Sequence, residues 1–262
     1  MRRNLMMLSV AVRSSLYKII IILGIMAALQ MGCFYHTYEK YAYPPEGSWE
    51  AQQIQTENIT LGQIYGVTWT LESLIEKSKL ELVFLGAFVL ICLVLAWSQG
   101  ERKQVKTYYF YERLPQSHEK RFAVWTIYNV CCMIILVFVQ VLTVLGMGWM
   151  FKSLVPSEYE SVQMFFMSFY KSEFLHCIMP LGDVIKVVRN IMMYLACSME
   201  IAGYACMKRK PWTLFLLVAL MVFGFSQEIG VFGMMDTVMI LAAGISIGVN
   251  ICRIRAYEPG EA

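Results

Sequence analysis

The chain has 262 residues, of which 58% are apolar and 16% charged, with a formal net charge of +3. A soluble monomer of this make-up would expose apolar patches larger than such proteins tolerate, so the composition points to a membrane. The basic residues are spread over several separated clusters, which gives no continuous basic face for nucleic acid.

Residues 1–18 carry Arg2, Arg3, Arg13 and Lys18 together with Leu5, Met6, Leu8, Val12 and Leu16 at roughly helical spacing. That pattern suits a short interfacial helix in the headgroup layer, and equally a cytoplasmic extension of the first span. Ile19 to Tyr35 holds no charged residue and is the first predicted span. It ends in Gly32-Cys33-Phe34-Tyr35 without a small-residue cleavage site, so it is read as retained, not removed as a signal.

The first outer segment, residues 36–78, opens with Tyr38, Tyr41, Tyr43, Pro44 and Pro45. Tyrosines of this kind favour the headgroup level. It contains an Asn58-Ile59-Thr60 triplet of the glycosylation type and closes with a short amphipathic helix at Thr70, Leu71, Leu74 and Ile75. The second span is Leu82 to Gln99, and after a cytoplasmic loop at 100–121 the third is Phe122 to Phe151.

Residues 152–189 are apolar but interrupted by Lys171, Glu173, His176, Pro180, Asp183, Lys186 and Arg189. They are predicted as outer-face interfacial helices, not a crossing. Pro180 and Gly182 should separate one helix, around Ser161 to Cys177, from another that begins near Asp183 and runs into the fourth span, Asn190 to Met207. The fifth and sixth spans are Pro211 to Gln227 and Thr237 to Cys252.

Basic residues gather before span one, between spans two and three (Arg102, Lys103, Lys106, Arg113, Lys120, Arg121), between four and five (Lys208, Arg209, Lys210) and after six (Arg253, Arg255). By the positive-inside bias these gaps are cytoplasmic. The expected fold is therefore an all-α membrane protein: one domain over 1–262, six transmembrane helices and both termini inside.

Catalytic and metal motifs are not found in the sequence. A Gly-x-x-x-x-Gly-Lys-Ser/Thr phosphate loop is absent, so ATP hydrolysis by this polypeptide is not expected. His36, His118 and His176 fall on two sides of the predicted membrane, and no Cys-x-x-Cys pair occurs, so neither a cofactor nor a metal is expected. Gly244-Ile245-Ser246-Ile247-Gly248 fits the letters of a nucleophile elbow but lies inside a span, where Gly244 and Gly248 are read as small residues allowing close helix approach. Most cysteines lie in or against apolar spans and read as packing residues. Cys33 and Cys177 near the outer face are the one pair for which a bridge is considered.

Glu200 is the residue that stands out. A carboxylate in mid-span is costly and is tolerated when it pairs, takes up a proton, faces other helices or lines a wet path. Asn129, Gln140 and Asn250 are its candidate partners in neighbouring spans, and Glu200, Asn129 and Gln140 form the candidate intramembrane polar site.

The cytoplasmic stretch Tyr108-Tyr109-Phe110-Tyr111-Glu112-Arg113-Leu114-Pro115-Gln116-Ser117-His118-Glu119-Lys120-Arg121 resembles an element of the ABC-2 type permease family, the membrane half of ABC exporters. Members carry a Leu-Pro-x-Ser segment followed by basic residues between their second and third spans. The resemblance implies a coupling loop (Tyr111, Arg113, Leu114, Pro115, Ser117, Glu119, Arg121) that docks on a separate ATP-binding ATPase subunit. It implies a second permease copy or paralogue, and a bacterial cytoplasmic membrane with its lipids as surroundings. On the residues alone, Ser117 should cap a helix continuous with span three, with Glu119 in its first turn. The family places its outer re-entrant helices between spans five and six, whereas here the apolar outer segment precedes span four. The alternative expectation is a non-transporting binding or sensory membrane subunit.

Overall fold

The computed structural model describes residues 2–42, 71–100, 117–154, 164–180, 182–207, 212–226 and 233–256. All regular structure among them is helical. Among the described residues the helices in chain order are α1 (Arg2–Ala42), α2 (Leu71–Lys77), α3 (Leu80–Gly100), α4 (His118–Leu154), α5 (Met164–Lys171), α6 (Glu173–Ile178), α7 (Val184–Met207), α8 (Trp212–Ser226) and α9 (Gly233–Arg255).

Each long helix grows from an apolar run without proline, in which i to i−4 bonding satisfies the backbone internally. Four of them are long and apolar enough to cross a bilayer: Ser15–Lys40, Leu80–Ser98, His118–Leu154 and Met235–Arg255. Such a set is compatible with a multi-pass membrane protein. Trp212–Phe225 is a shorter apolar helix. Helix α7 has 24 residues, about 36 Å, but carries Lys186, Arg189 and Glu200 along its length.

Helix α1 runs unbroken from Arg2 to Ala42, so the first 18 residues are not set off as a separate helix. The predicted helix before span two exists as α2, and Ser78 and Lys79 turn the chain into α3. Ser78 Oγ bonds back to the carbonyls of Leu74 at 2.6 Å and Ile75 at 2.9 Å, while Lys79 takes a left-handed φ of 49°. The outer helix expected around Ser161 to Cys177 is instead two, α5 and α6, because Ser172 is extended (φ −69°, ψ 118°). Pro180 and Gly182, the latter at φ 92°, do end this segment, and α7 then starts at Val184 and runs without a break to Met207. Tyr43 to Pro45, the Asn58 triplet and the loop from Arg102 to Gln116 lie outside the described residues.

The helices form two compact units. One contains Gly24–Leu85 and Phe138–Asp183. In it Met31 approaches Gly146, and Tyr38 donates to the carbonyl of Leu154 at 2.8 Å. Residue numbers thus rise together along α1 and α4, which makes them parallel there. Gln30 Nε2 donates to the carbonyl of Leu80 at 3.3 Å, and Phe84 meets Phe174 edge to face at 5.7 Å. Helix α2 buries Leu71, Leu74 and Ile75, and its exposed side gives Glu72 to Lys171 at 3.3 Å.

The other unit contains Met1–Leu23, Gly86–Val137 and Val184–Ala262. Ser15 and Tyr128 share a buried hydroxyl bond of 2.6 Å between α1 and α4. Phe122, Met199, Ala202, Cys206 and Ile254 form an apolar cluster flanked by Trp125, Leu195 and Ile247. The most extensive helix pairing is α7 against α9. In it Ala202 of α7 and Ile254 of α9 share the apolar cluster, and Ala196 of α7 and Ala243 of α9 are fully buried. A Cβ on Gly248 would meet nothing within 4 Å, and one on Gly244 would reach only the end of Met192. Gly224 of α8 has a close neighbour in Met239 of α9.

Candidate functional site

The polar groups of the second unit are stacked along α7, whose one face is small and tightly packed. Glu200 lies in the C-terminal third of this helix and is 4% exposed. Its Oε2 accepts from Thr213 Oγ1 on α8 at 2.7 Å; its Oε1 accepts from Ser246 Oγ at 2.7 Å and Asn250 Nδ2 at 2.8 Å on α9. Ser246 and Asn250 stand one helical turn apart, the spacing that puts two side chains on one face. Asn250 also donates to the carbonyl of Ser246 at 2.9 Å, which holds its amide in place. The carboxylate therefore has three donors on two helices, the arrangement its acceptor-only chemistry requires.

A second polar level lies eleven residues, about 16 Å, earlier on α7. Arg189 is 3% exposed; its Nη1 donates to Asp236 Oδ1 of α9 at 2.5 Å. Its Nε and Nη2 donate to Asn190 Oδ1 at 3.1 and 3.0 Å, and the guanidinium lies 5.7 Å from the centre of the Phe225 ring on α8. Arginine suits this position because its planar group can bond in its plane and stack on an aromatic face. Asp236 is in the first turn of α9, where a negative charge is also favoured by the helix dipole.

The two levels fix the directions of three helices. Along α7 from Arg189 to Glu200, the partners on α9 run from Asp236 to Ser246 and Asn250, so α7 and α9 are parallel. The partners on α8 run from Phe225 back to Thr213, so α8 is antiparallel to both. Directional polar contacts at both ends therefore brace this three-helix group.

Of the residues expected at the polar site, Glu200 and Asn250 are together. Asn129 of α4 donates to the backbone carbonyl of Ser198, two residues before Glu200, at 3.1 Å. Gln140 belongs to the other unit, and neither of its side-chain polar atoms has a hydrogen-bond partner, so it does not pair with Glu200. Thr213, Ser246 and the Arg189–Asp236 pair went unread in the sequence. The i, i+4 pairing of Ser246 with Asn250 was the available signal for the first site, and the charges flanking spans four and six for the second.

Of the coupling-loop residues, Ser117, Glu119 and Arg121 are described, whereas Tyr111, Arg113, Leu114 and Pro115 lie outside the described residues. The Arg121 N–H donates to the Ser117 carbonyl at 3.2 Å, and Glu119 sits in the first turn of α4. None of the eight cysteines forms a disulfide, so Cys33 and Cys177 are not bridged. Among the described residues no cluster of His, Cys, Asp and Glu is able to hold a metal.

The class these features define is an all-helical protein with helices fit to cross a bilayer and with polar groups paired in its interior. Comparison with protein-family models, with curated proteins and with solved structures gives no match for this chain.

Proposed function

We propose that the chain is the permease subunit of an ABC-2 type exporter in a bacterial cytoplasmic membrane. In this reading α1, α3, α4, α7, α8 and α9 are six spans with both termini inside. The loop at 100–121 docks on a separate ATPase subunit, and a second copy or a paralogue completes the substrate path.

The observation that carries the reading is α4. It begins at His118, directly after the Leu114-Pro115-Gln116-Ser117 segment, and continues unbroken for 37 residues, about 55 Å. A helix of that length is a stiff rod, so movement imposed at its start by a docked ATPase would be carried along the whole span. The up-down-up order of α7, α8 and α9 supports the last three spans, since short cytoplasmic and outer links then suffice.

The test is co-purification of the chain from its native membrane with and without replacement of Leu114 to Ser117 by a Gly-Ser segment. An ATPase that co-purifies, turns over ATP faster in the complex and is lost with the replacement is the expected result. A stable complex containing no ATPase would refute the proposal.

A second reading, a non-transporting binding or sensory subunit, is favoured by one feature. The oxygens of Glu200 already accept from three protein donors, so the buried carboxylate serves as a structural clasp without needing a substrate. Glu200→Gln separates the two readings: lowered transport with intact insertion and assembly supports the permease, and unchanged transport removes Glu200 from the path.

A further inference from the structure

Hydrogen bonds tie one level of the second unit together. Glu200 of α7 accepts from Thr213 of α8 and from Asn250 of α9. Asn129 of α4 donates to the Ser198 carbonyl, two residues before Glu200, and Tyr128, next to Asn129, shares its hydroxyl bond with Ser15 of α1. Two exposed aromatic side chains stand at this level. Trp212, the neighbour of Thr213, is 74% exposed; Tyr17, about 3 Å along α1 from Ser15, is 56% exposed, with Lys18 Nζ over its ring at 5.9 Å.

The surface changes character across this level. On the side toward Arg189 it is apolar: Ile191 of α7, Phe215 and Leu216 of α8 and Leu241 and Ile245 of α9 are all exposed. The opposite side is basic. There Phe122 of α4 packs with Cys206 of α7 and Ile254 of α9, which sets the start of α4 and the end of α9 at one height. Lys120, Arg253 and Arg255 are exposed at that height and Arg121 is half-buried, while Glu119 adds a negative charge.

Tryptophan and tyrosine between an apolar and a basic surface mark the headgroup level of a bilayer. A carboxylate costs most at the bilayer centre and less near its edge. That gradient accounts for Glu200 being held by the neutral donors Thr213, Ser246 and Asn250, and for Thr213 being itself exposed. Arg189, about 16 Å further into the apolar side, falls at half the depth of a ~30 Å hydrocarbon core, and this ion has an opposite charge, Asp236, as its partner.

We propose that Trp212 and Tyr17 mark one headgroup boundary of the bilayer, that the Glu200 clasp lies at this boundary instead of at mid-depth, and that Lys120, Arg253 and Arg255 bind anionic phospholipid headgroups in that leaflet. Charge complementarity selects the occupant, because such headgroups place negative charge at the height of these side chains. The inference does not rest on the transport reading: a sensory subunit in the same bilayer has the same boundary.

The experiment uses the full chain in vesicles of equal parts phosphatidylglycerol and phosphatidylcholine. The fluorescence lost on Trp212→Phe, a replacement that keeps an aromatic ring, isolates the signal of Trp212. Nitroxide-bearing phosphatidylcholine should quench this signal more strongly when the nitroxide is on the headgroup than when it is at the end of the acyl chain. Equal quenching, or stronger quenching from the chain end, overturns the boundary. Lipid retained through purification is then measured by native mass spectrometry, and the unsubstituted chain should hold phosphatidylglycerol in preference. Two basic residues near a membrane surface are worth roughly tenfold or more in binding to anionic lipid, so Arg253→Gln with Arg255→Gln should lower the retained ratio of phosphatidylglycerol to phosphatidylcholine by about that factor. No preference in the unsubstituted chain, or an unchanged ratio in the double variant, overturns the lipid assignment. A double variant that keeps its lipid ratio but loses a co-purifying soluble protein assigns the arginines to a protein partner and overturns it as well.

Discussion

The Glu200 clasp makes a quantitative expectation about what holds α8 against α7 and α9. Glu200→Ala removes bonds of 2.7, 2.7 and 2.8 Å from Thr213, Ser246 and Asn250 at once. Side-chain bonds between helices of membrane proteins average about 0.6 kcal/mol each and reach about 1.7, so three of them are worth roughly 2–5 kcal/mol. Asn250 keeps its bond to the Ser246 carbonyl, which leaves that amide satisfied and keeps the loss inside this range. For a chain of this size the corresponding fall in Tm is about 5–15 °C. Glu200→Gln differs sharply: its carbonyl oxygen can still accept from Ser246 and Asn250, and its new N–H₂ can donate to the Thr213 hydroxyl, which rotates to accept. Its cost should stay below about 1 kcal/mol. Thermal unfolding in detergent, followed by circular dichroism, measures both. A Glu200→Ala protein that melts within about 2 °C of the unsubstituted one, or a Gln variant as weak as the Ala variant, would refute the clasp.

The Arg189–Asp236 pair gives a second expectation. Arg189→Leu alone leaves Asp236 without its buried partner and should cost about 3–5 kcal/mol, whereas Arg189→Leu with Asp236→Leu should cost much less, as measured by chemical denaturation in mixed micelles. Lys79 occupies a left-handed φ of 49° at the end of α2, so Lys79→Gly should raise stability by up to about 1 kcal/mol in the same assay. Glu76 is raised above its ordinary value near 4.5, first by burial and then by the charges of Glu173 and Glu72, against the Glu173 backbone N–H that it accepts. A raised carboxyl binds its proton more tightly in the folded state, so its contribution is present at low pH and lost as pH rises from about 4.5 through the folded value. A Glu76→Gln protein should therefore lose less stability than the unsubstituted chain across that window, seen by titrating Tm against pH.

The placement of helices was legible because its causes are local. Apolar runs such as Leu82 to Gln99 and Phe122 to Phe151 have few other ways to satisfy their backbones, and the stop at Pro180 and Gly182 follows from missing donors and a left-handed turn. The split at Ser172 was not legible. The residue is compatible with a helix interior, and the chain bends there where Phe174 reaches Phe84 and Lys171 reaches Glu72. Glu200 drew attention for a similarly local reason, since a lone carboxylate in an apolar run is conspicuous wherever it points.

By itself, then, the sequence determined where the long apolar helices form and which residue in them is costly to bury. Only the tertiary structure decided the partners: Asn250, Ser246 and Thr213 for Glu200 in place of Gln140, and Asp236 for Arg189. The physical reason is that α3 and α8 are almost wholly apolar, so their sequences carry little sign of a preferred inward face. Rotation and depth are then settled when neighbouring helices pack together, by which side chains fit and which polar atoms meet.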